Sequence, residues 1–244
     1  MYTVEILIPT ARVAFAVEAG RAEFMPEHRP PEAYHAYQEF VRQHQVVGMT
    51  TFPNTVLLRG PATVLVDPGL HLQNEPVLAA LAARGLSAAD LDLVALTHAH
   101  LDHAGAVADV VPPAASAGAS PQVAVHAAET SEPHWAAVQG VMEERSLRLL
   151  EGEEGELVEG ISWARTPGHT LGGVSFRVPT AGGLVVLCGD IVGPLVEDFA
   201  ALVPPADESD GEALVRSWRL IRSWQPARIV AGHLEPLASS DWHS

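Results

Sequence analysis

The stretch Thr97-His98-Ala99-His100-Leu101-Asp102-His103-Ala104-Gly105 places three imidazoles and one carboxylate within six positions. An apolar run at residues 91–96 precedes it and has the pattern of a buried strand. Residues 104–110 follow it and are predicted to be helical. The motif therefore lies at the carboxyl end of a strand, where functional residues of layered α/β folds tend to collect.

The spacing of this motif indicates a metal site. His98 and His100 are expected to point to the same side, because side chains of extended backbone repeat with a period of two. Asp102 and His103 follow a change of direction and can face a second point nearby. Imidazole nitrogens and carboxylate oxygens are ligands that Zn(II), Fe(II) and Mn(II) accept.

The pattern His-x-His-x-Asp-His followed by Ala-Gly resembles the metal-binding signature of the metallo-beta-lactamase superfamily. Other stretches resemble further motifs of that family, and they occur in the family's order over most of the chain. These stretches are Val64–Gly69, Thr166–Thr170, Leu187–Asp190 and Val230–His233. One such match alone is weak, whereas the combination is highly specific.

The resemblance implies an α/β fold of the αββα type, a four-layer sandwich with the site at one edge. The order of predicted strands and helices suits two packed sheets with helices outside. Matching motif to motif implies a first metal held by His98, His100 and His169, and a second held by Asp102, His103 and His233. Asp190 would bridge the two metals, and Asp67 would order a strand end or hydrogen-bond a ligand histidine.

This ligand set implies hydrolytic chemistry. Its five neutral imidazoles and two carboxylates leave two divalent ions with a net positive charge. Such ions lower the pKa of a bound water to about 7 in favourable zinc sites and polarise a carbonyl or phosphoryl oxygen. We therefore expect two divalent metal ions as cofactors, zinc first, with iron or manganese as alternatives. Asp102 and Asp190 are the expected catalytic residues.

The composition limits the partners. The formal net charge is −16, and all 14 basic residues are arginine, so the chain should repel nucleic acid and anionic membranes. One cysteine excludes an internal disulfide and fits a reducing compartment. No segment has the pattern of a signal peptide or a membrane span. We expect a cytoplasmic protein with a single domain over residues 1–244 that acts on a small molecule.

Residues 11–48 are longer than a simple link between two strands requires. A helix is predicted over Pro31–Val41, with proline near its start. The segment carries apolar and aromatic residues, so we expect it to form either a lid over the site or an interface, for example that of a homodimer. Tyr34 and Tyr37 share one predicted helical face and are candidates for binding substrate, together with His71.

Other segments have recognisable periodicities. Strands are predicted at residues 3–8, 55–59, 63–67, 122–126, 161–166, 173–178, 184–189 and 227–231. Helices are predicted at residues 75–84, 134–150 and 209–224. The acidic residues 151–159 are expected to form a solvated turn.

Several activities of the family remain open at the level of sequence. Hydrolysis of a small lactone, ester or thioester is favoured. Lactonases acting on acyl-homoserine lactones resemble the chain best, but they use a tyrosine after the third histidine, and the tyrosines here are Tyr2, Tyr34 and Tyr37. The alternatives are a persulfide dioxygenase with a single iron, a phosphodiesterase or nuclease, and a non-catalytic metal-binding protein.

Overall fold

A computed structural model of the protein describes residues 1–18, 21–26, 46–71, 74–114, 121–193, 196–205 and 210–242. Its strands, in chain order, are β1 (Thr3–Ile8), β2 (Ala11–Glu18), β3 (Arg21–Pro26), β4 (Val46–Phe52), β5 (Thr55–Arg59), β6 (Thr63–Val66), β7 (Leu93–Ala95), β8 (Gln122–His126), β9 (Leu147–Leu150), β10 (Glu154–Val158), β11 (Ile161–Arg165), β12 (Val174–Thr180), β13 (Gly183–Gly189), β14 (Arg228–Ala231) and β15 (Leu237–Ala238).

The α-helices lie between these strands. They are α1 (Asn74–Ala82), α2 (Leu101–Ala104), α3 (Val107–Val110), α4 (Gln139–Glu143), α5 (Val196–Ala201) and α6 (Gly211–Ser223). Within the described ranges, none of them combines the length and the apolar character that crossing a membrane requires.

Two six-stranded sheets form the centre of the fold. The first has the order β1-β5-β6-β7-β8-β9, and the second has the order β10-β11-β12-β13-β14-β15. In the first sheet β6, β7, β8 and β9 run parallel to one another, and in the second β13 and β14 are parallel. The carboxyl ends of parallel strands meet at one edge of a sheet, so residues that follow them in sequence are brought close together.

Apolar residues divide between three interfaces, as a four-layer sandwich requires. Val56 and Leu58 of β5 pack between the sheets with Phe176 of β12. Leu57, which lies between them in sequence, points to the opposite side and packs with residues of α1 and α3. On the far side of the second sheet, Trp218 of α6 packs on β13 and β14. The predicted αββα sandwich is therefore confirmed.

The helix predicted over residues 134–150 is wrong. The chain forms short helical turns up to α4, and Leu147–Leu150 then becomes strand β9, which pairs in parallel with β8. Residues 151–159 are also not simply a turn, because Glu154–Val158 forms the edge strand β10. At β9, pairing with β8 across the intervening helical turns outweighs local helical preference. β10 pairs with the next strand, β11, and its acidic residues, which are infrequent in strands, conceal this hairpin in the sequence.

The helix predicted over residues 104–110 is split into α2 and α3. The amide of Ala106 donates to the carbonyl of Gly69 at 2.7 Å, and the amide of Gly69 donates to the carbonyl of His103 at 3.0 Å. These hydrogen bonds join the helical segment to the loop after β6. They take the place of hydrogen bonds within a helix, and they hold the loop after β6 against the segment that carries His98 to His103.

A separate three-stranded sheet of order β3-β2-β4 was not predicted. It is formed by residues 11–18, 21–26 and 46–52, and β4 lies next to α2. At its base the Thr10 hydroxyl donates to the carbonyl of Phe52 at 2.8 Å. The helix predicted at Pro31–Val41 falls within residues 27–45, outside the described residues, so the lid or interface role stays a prediction.

Candidate metal centre

Three histidines form the first set of candidate ligands. His98 and His100 lie on the loop after β7, with extended backbone at His100, and His169 lies on the loop between β11 and β12. The Nδ1 atom of His100 lies 3.0 Å from the Nε2 atom of His98 and 3.0 Å from the Nε2 atom of His169. The three ring nitrogens therefore face one point.

A second set lies beside the first and contains Asp102, His103, Asp190 and His233. The Nε2 atom of His233 lies 3.1 Å from Asp102 Oδ2 and 3.3 Å from Asp190 Oδ2, and His103 Nε2 lies 3.2 Å from Asp190 Oδ1. Candidate ligand atoms within each set all lie within 4.8 Å of one another. The structure thus brings together all the metal ligands expected from sequence.

Asp190 lies between the two sets. Its Oδ2 atom is 3.3 Å from His233 Nε2 on one side, and 3.6 Å from His169 Nε2 and 4.0 Å from His98 Nε2 on the other. Asp190 directly follows β13, whose carboxyl end meets that of β14. A carboxylate at this position can contact ions held by either set.

Two buried atoms support the fit of a metal ion. His103 Nε2 and Asp190 Oδ1 lie 3.2 Å apart but are not aligned for a hydrogen bond, and neither atom has another hydrogen-bond partner among the described residues. A buried polar atom without a partner costs about 1–3 kcal/mol, so such atoms are rare unless something else satisfies them. Imidazole nitrogen and carboxylate oxygen together suit a divalent zinc, iron or manganese ion, and the residues therefore fit the group.

Two rings of the first set, those of His98 and His100, are held as neutral imidazole. Burial lowers the pKa of His98 well below its ordinary value, and the charge of His103 adds to this effect. Burial and the neighbouring His169 lower the pKa of His100 to about 4. A neutral imidazole has a lone pair available for a metal ion, so these two rings need to lose no proton on binding.

The two histidines of the second set have raised pKa values, because they lie beside carboxylates. Burial acts to lower the pKa of His103, but Asp190 and Asp67 outweigh it and raise the pKa well above the ordinary value. In His233 the charge of Asp190 and the hydrogen bond with Asp102 likewise outweigh burial and raise the pKa to about 9. Burial opposes the charged form of Asp190, yet His233 and His103 hold its pKa well below the usual range.

One buried carboxylate orients a histidine of each set. Asp67 Oδ2 accepts from His103 Nδ1 at 2.9 Å and from the Thr97 hydroxyl at 2.7 Å, and Oδ1 accepts from the Thr97 amide at 2.8 Å. Because the Thr97 hydroxyl donates to Asp67, it is left to accept from His98 Nδ1 at 3.1 Å. Asp67 has a positive φ of 49° at the turn after β6. The expected hydrogen bond to a ligand histidine is present.

Sequence reasoning did not assign Glu129 to the site. Its carboxylate is fully buried and accepts from the Ala99 amide at 2.7 Å and from the Gly172 amide at 2.9 Å, which joins the loops of the first set. Glu129 also lies 2.9 Å from His134 Nε2, and the His134 ring lies 4.3 Å from the His100 ring. The contacts of Glu129 with Ala99 and Gly172 span 30 and 43 positions of the chain, so no local motif reveals them.

The candidate substrate residues remain predictions. His71 Nδ1 lies 2.7 Å from Asp109 Oδ2, and its side chain is 71% exposed, so it belongs to neither ligand set. Tyr34 and Tyr37 lie outside the described residues.

Comparison with known families agrees with this geometry. The family model of the metallo-beta-lactamase superfamily matches residues 49–233, which is more than half of the chain. The chain belongs to this superfamily. The superfamily consists mostly of metal-dependent hydrolases. None of the curated proteins used for comparison matches the sequence.

Solved structures share the metallo-beta-lactamase fold with this chain. A Thermotoga maritima protein assigned to the metallo-beta-lactamases has a TM-score of 0.65 at 20% identity, over 97% of this chain and 99% of that one. AiiA from B. thuringiensis, a mutant with N-decanoyl-L-homoserine bound, has a TM-score of 0.66 at 19% identity, over 96% and 92%. AidC, a dizinc quorum-quenching lactonase, has a TM-score of 0.60 at 18% identity, over 82% and 79%. At these identities the likeness shows a common fold.

The raised pKa values of His103 and His233 predict that metal binding by the second set depends on pH. His233 and His103 carry protons at pH 7 when no metal is bound, because their pKa values are raised, and a metal ion must displace those protons. We expect the affinity of the second set for Zn²⁺ to rise from pH 6 up to about 9. Calorimetric titration in buffers of different ionisation enthalpy measures the released protons. A second binding step that releases none would contradict this assignment.

Close packing at Gly232 generates a steric test. A β carbon at this position would overlap Asp190 Oδ1 and would lie 2.9 Å from His103 Cε1. Gly232→Ala should displace the Asp190 carboxylate and lower Zn²⁺ affinity by roughly tenfold or more, the usual scale for disturbing a ligand's surroundings. Gly193→Ala is the matched control, since a β carbon there lies within 4 Å of no atom in the described part of the chain. Equal Zn²⁺ affinities for the two variants in chelator competition would contradict the steric account.

Proposed function

We propose that this protein is a dinuclear metal-dependent hydrolase acting on a small acyl substrate, namely a lactone, ester or thioester. The position of Asp190 between the two ligand sets is the observation that carries the proposal. Its Oδ2 atom lies within 4.0 Å of a histidine nitrogen of each set, so one carboxylate serves both. Two divalent ions bound there, zinc in the first instance, would activate a water molecule and polarise the scissile carbonyl.

The residues of the site have separate tasks in this reaction. His98, His100 and His169 hold one ion as neutral ligands, and Asp102, His103 and His233 hold the other. Asp102 is the more exposed of the two site carboxylates, with 26% of its side chain accessible against 15% for Asp190. Burial acts to raise the pKa of Asp102, but the hydrogen bond from His233 and the charges of His103 and His233 together outweigh it and lower the pKa, so this carboxylate is ionised. No serine or cysteine nucleophile is required.

The surroundings of the site favour a substrate with an apolar part. Leu101 lies between His100 and Asp102, Leu171 lies two residues after His169, and these leucines are 50% and 53% exposed. An acyl chain can cover such apolar side chains and remove them from water, which stabilises the complex. The net charge of −16 disfavours a polyanion such as nucleic acid.

The lactonases of the same fold support lactones as the first substrates to test. Their structures include one with the product N-hexanoyl-L-homoserine at the catalytic metal centre, although identity to this chain is 19%. No tyrosine follows His169 in this sequence. Tyr34, Tyr37 and His71 are therefore our candidates for contacting the substrate.

Metal stoichiometry tests the dinuclear site. We expect close to two equivalents of zinc per chain after metal-replete purification, because two ligand sets converge on Asp190. Elemental analysis provides the measurement. A firm value of one, with no gain on adding zinc, iron or manganese, would reject the dinuclear site, and oxygen uptake with a persulfide would then favour the mononuclear dioxygenase.

Activity on a panel of substrates tests the reaction. We expect turnover of an acyl-homoserine lactone, a simple ester or a thioester, and none of DNA or RNA. Asp190→Ala and His169→Ala should each abolish turnover, since each removes a metal ligand, while circular dichroism shows that the fold is retained. Leu149→Ala is the control, because its exposed side chain lies on β9 and belongs to neither ligand set. Salt-sensitive cleavage of nucleic acid with no acyl hydrolysis would overturn the proposal.

A further inference from the structure

His233 differs from two other candidate ligands in how its ring is held. The Nδ1 atom of His103 is hydrogen-bonded to Asp67, and that of His98 to the Thr97 hydroxyl. The Nδ1 atom of His233 is buried and has no hydrogen-bond partner among the described residues. The orientation of the His233 ring therefore depends on its backbone more than the orientations of the His98 and His103 rings depend on theirs.

That backbone is held by the side chain and the amide of Asn54. Its Nδ2 group donates to the carbonyl of Ala231 at 2.8 Å and to that of Leu234 at 2.7 Å, so the two contacts lie on either side of His233. The Asn54 backbone amide donates to the carbonyl of Gly232 at 2.7 Å. Asn54 is only 4% exposed, so water competes little for these hydrogen bonds.

The remaining polar atom of this side chain faces the three-stranded sheet. Asn54 Oδ1 accepts from the Thr10 amide at 2.9 Å, directly before β2, and the Thr10 hydroxyl bonds to Phe52 at the end of β4. Asn54 thus joins the loop of His233 to the place where the chain enters and leaves that sheet. A primary amide supplies two donors and one acceptor to these groups, a combination that an aspartate cannot reproduce.

The first ligand set has other supports. Glu129 accepts from the amides of Ala99 and Gly172, and the Ser217 hydroxyl donates to the carbonyl of Pro167 at 2.7 Å, two residues before His169. Each of these contacts lies on a loop that carries His98, His100 or His169. Asp67 supports both sets, whereas Asn54 on one side and Glu129 and Ser217 on the other can be changed one at a time.

We propose that Asn54 is the positioning residue of His233, and that it sets the affinity of the second ligand set for its metal ion while leaving the first set unaffected. This inference rests on the proposed dinuclear site. Asn54 acts through the loop backbone and takes no part in the chemistry. The hydrogen bond to Thr10 makes the three-stranded sheet part of the same support.

Asn54→Asp is the sharpest variant. It keeps the size of the side chain and the acceptor for Thr10, but places an oxygen that cannot donate opposite the carbonyls of Ala231 and Leu234. We expect the second-set affinity for Zn²⁺ to fall by roughly 10- to 100-fold, the usual effect of losing a residue that orients a ligand, with the first set changed by less than about twofold. Competition with a chromophoric chelator measures both steps, and no activity is needed.

The effect must pass through His233 if Asn54 is its positioning residue. Asn54→Asp should therefore weaken Zn²⁺ binding in a His169→Ala background, where the second set remains, and have no further effect in a His233→Ala background. Thr55→Val is the matched control. Thr55 is the next residue, it is fully buried, and its hydroxyl has no hydrogen-bond partner in the described part of the chain. This variant should bind Zn²⁺ as the unaltered protein does.

Several outcomes would overturn the inference. These are unchanged binding in Asn54→Asp, an equal loss at both sets, or the same loss with and without His233. If the variant fails to fold, NMR of the unaltered protein decides, because the Asn54 side-chain amide signals should shift with the second equivalent of Zn²⁺ and an absence of shift rejects the role. A single binding step in the unaltered protein rejects the dinuclear function instead, so the two failures are distinguishable.

Discussion

The largely buried carboxylate of Asp190 is the group on which the rest of this structure depends. Burial opposes its charge, and it stays ionised because His103 and His233 lie beside it. The same carboxylate raises the pKa of both rings, so each partner is held in its charged form by the other. Such a group of buried charges stabilises a fold weakly, which points to metal binding as the reason for its presence.

The arrangement of the two sheets brings the candidate ligands together. Asp67 follows β6, and His98 follows β7, its parallel neighbour in the first sheet. Asp190 and His233 follow β13 and β14, which are parallel neighbours in the second sheet. The two edges face each other, so short loops suffice to complete the site. Where the backbone comes closest to Asp190, at Gly232, there is no space for a side chain.

Much of the site was accessible from sequence because ligand chemistry is local. The spacing of His98, His100, Asp102 and His103 predicts a metal site without a structure. The family resemblance added His169, Asp190 and His233 as further candidate ligands. Strands bounded by turn residues were also predicted well. The prediction failed at β9, where parallel pairing with β8 overrides local preference, and at β10, where an acidic sequence concealed a hairpin with β11. The sheet of β2, β3 and β4 escaped detection within a segment broken by prolines.

The sequence by itself indicated the candidate ligands and their order and, through the family resemblance, the four-layer architecture, because motif spacing and periodicity are properties of neighbouring residues. The tertiary structure alone decided that Asp67 orients a histidine of each set, that Glu129 joins two ligand loops, and that Asn54 holds the loop of His233. Asn54 and Leu234 are 180 positions apart in the chain. Contacts of this kind depend on how strands pair and how sheets face each other, and a single sequence carries no local trace of that arrangement.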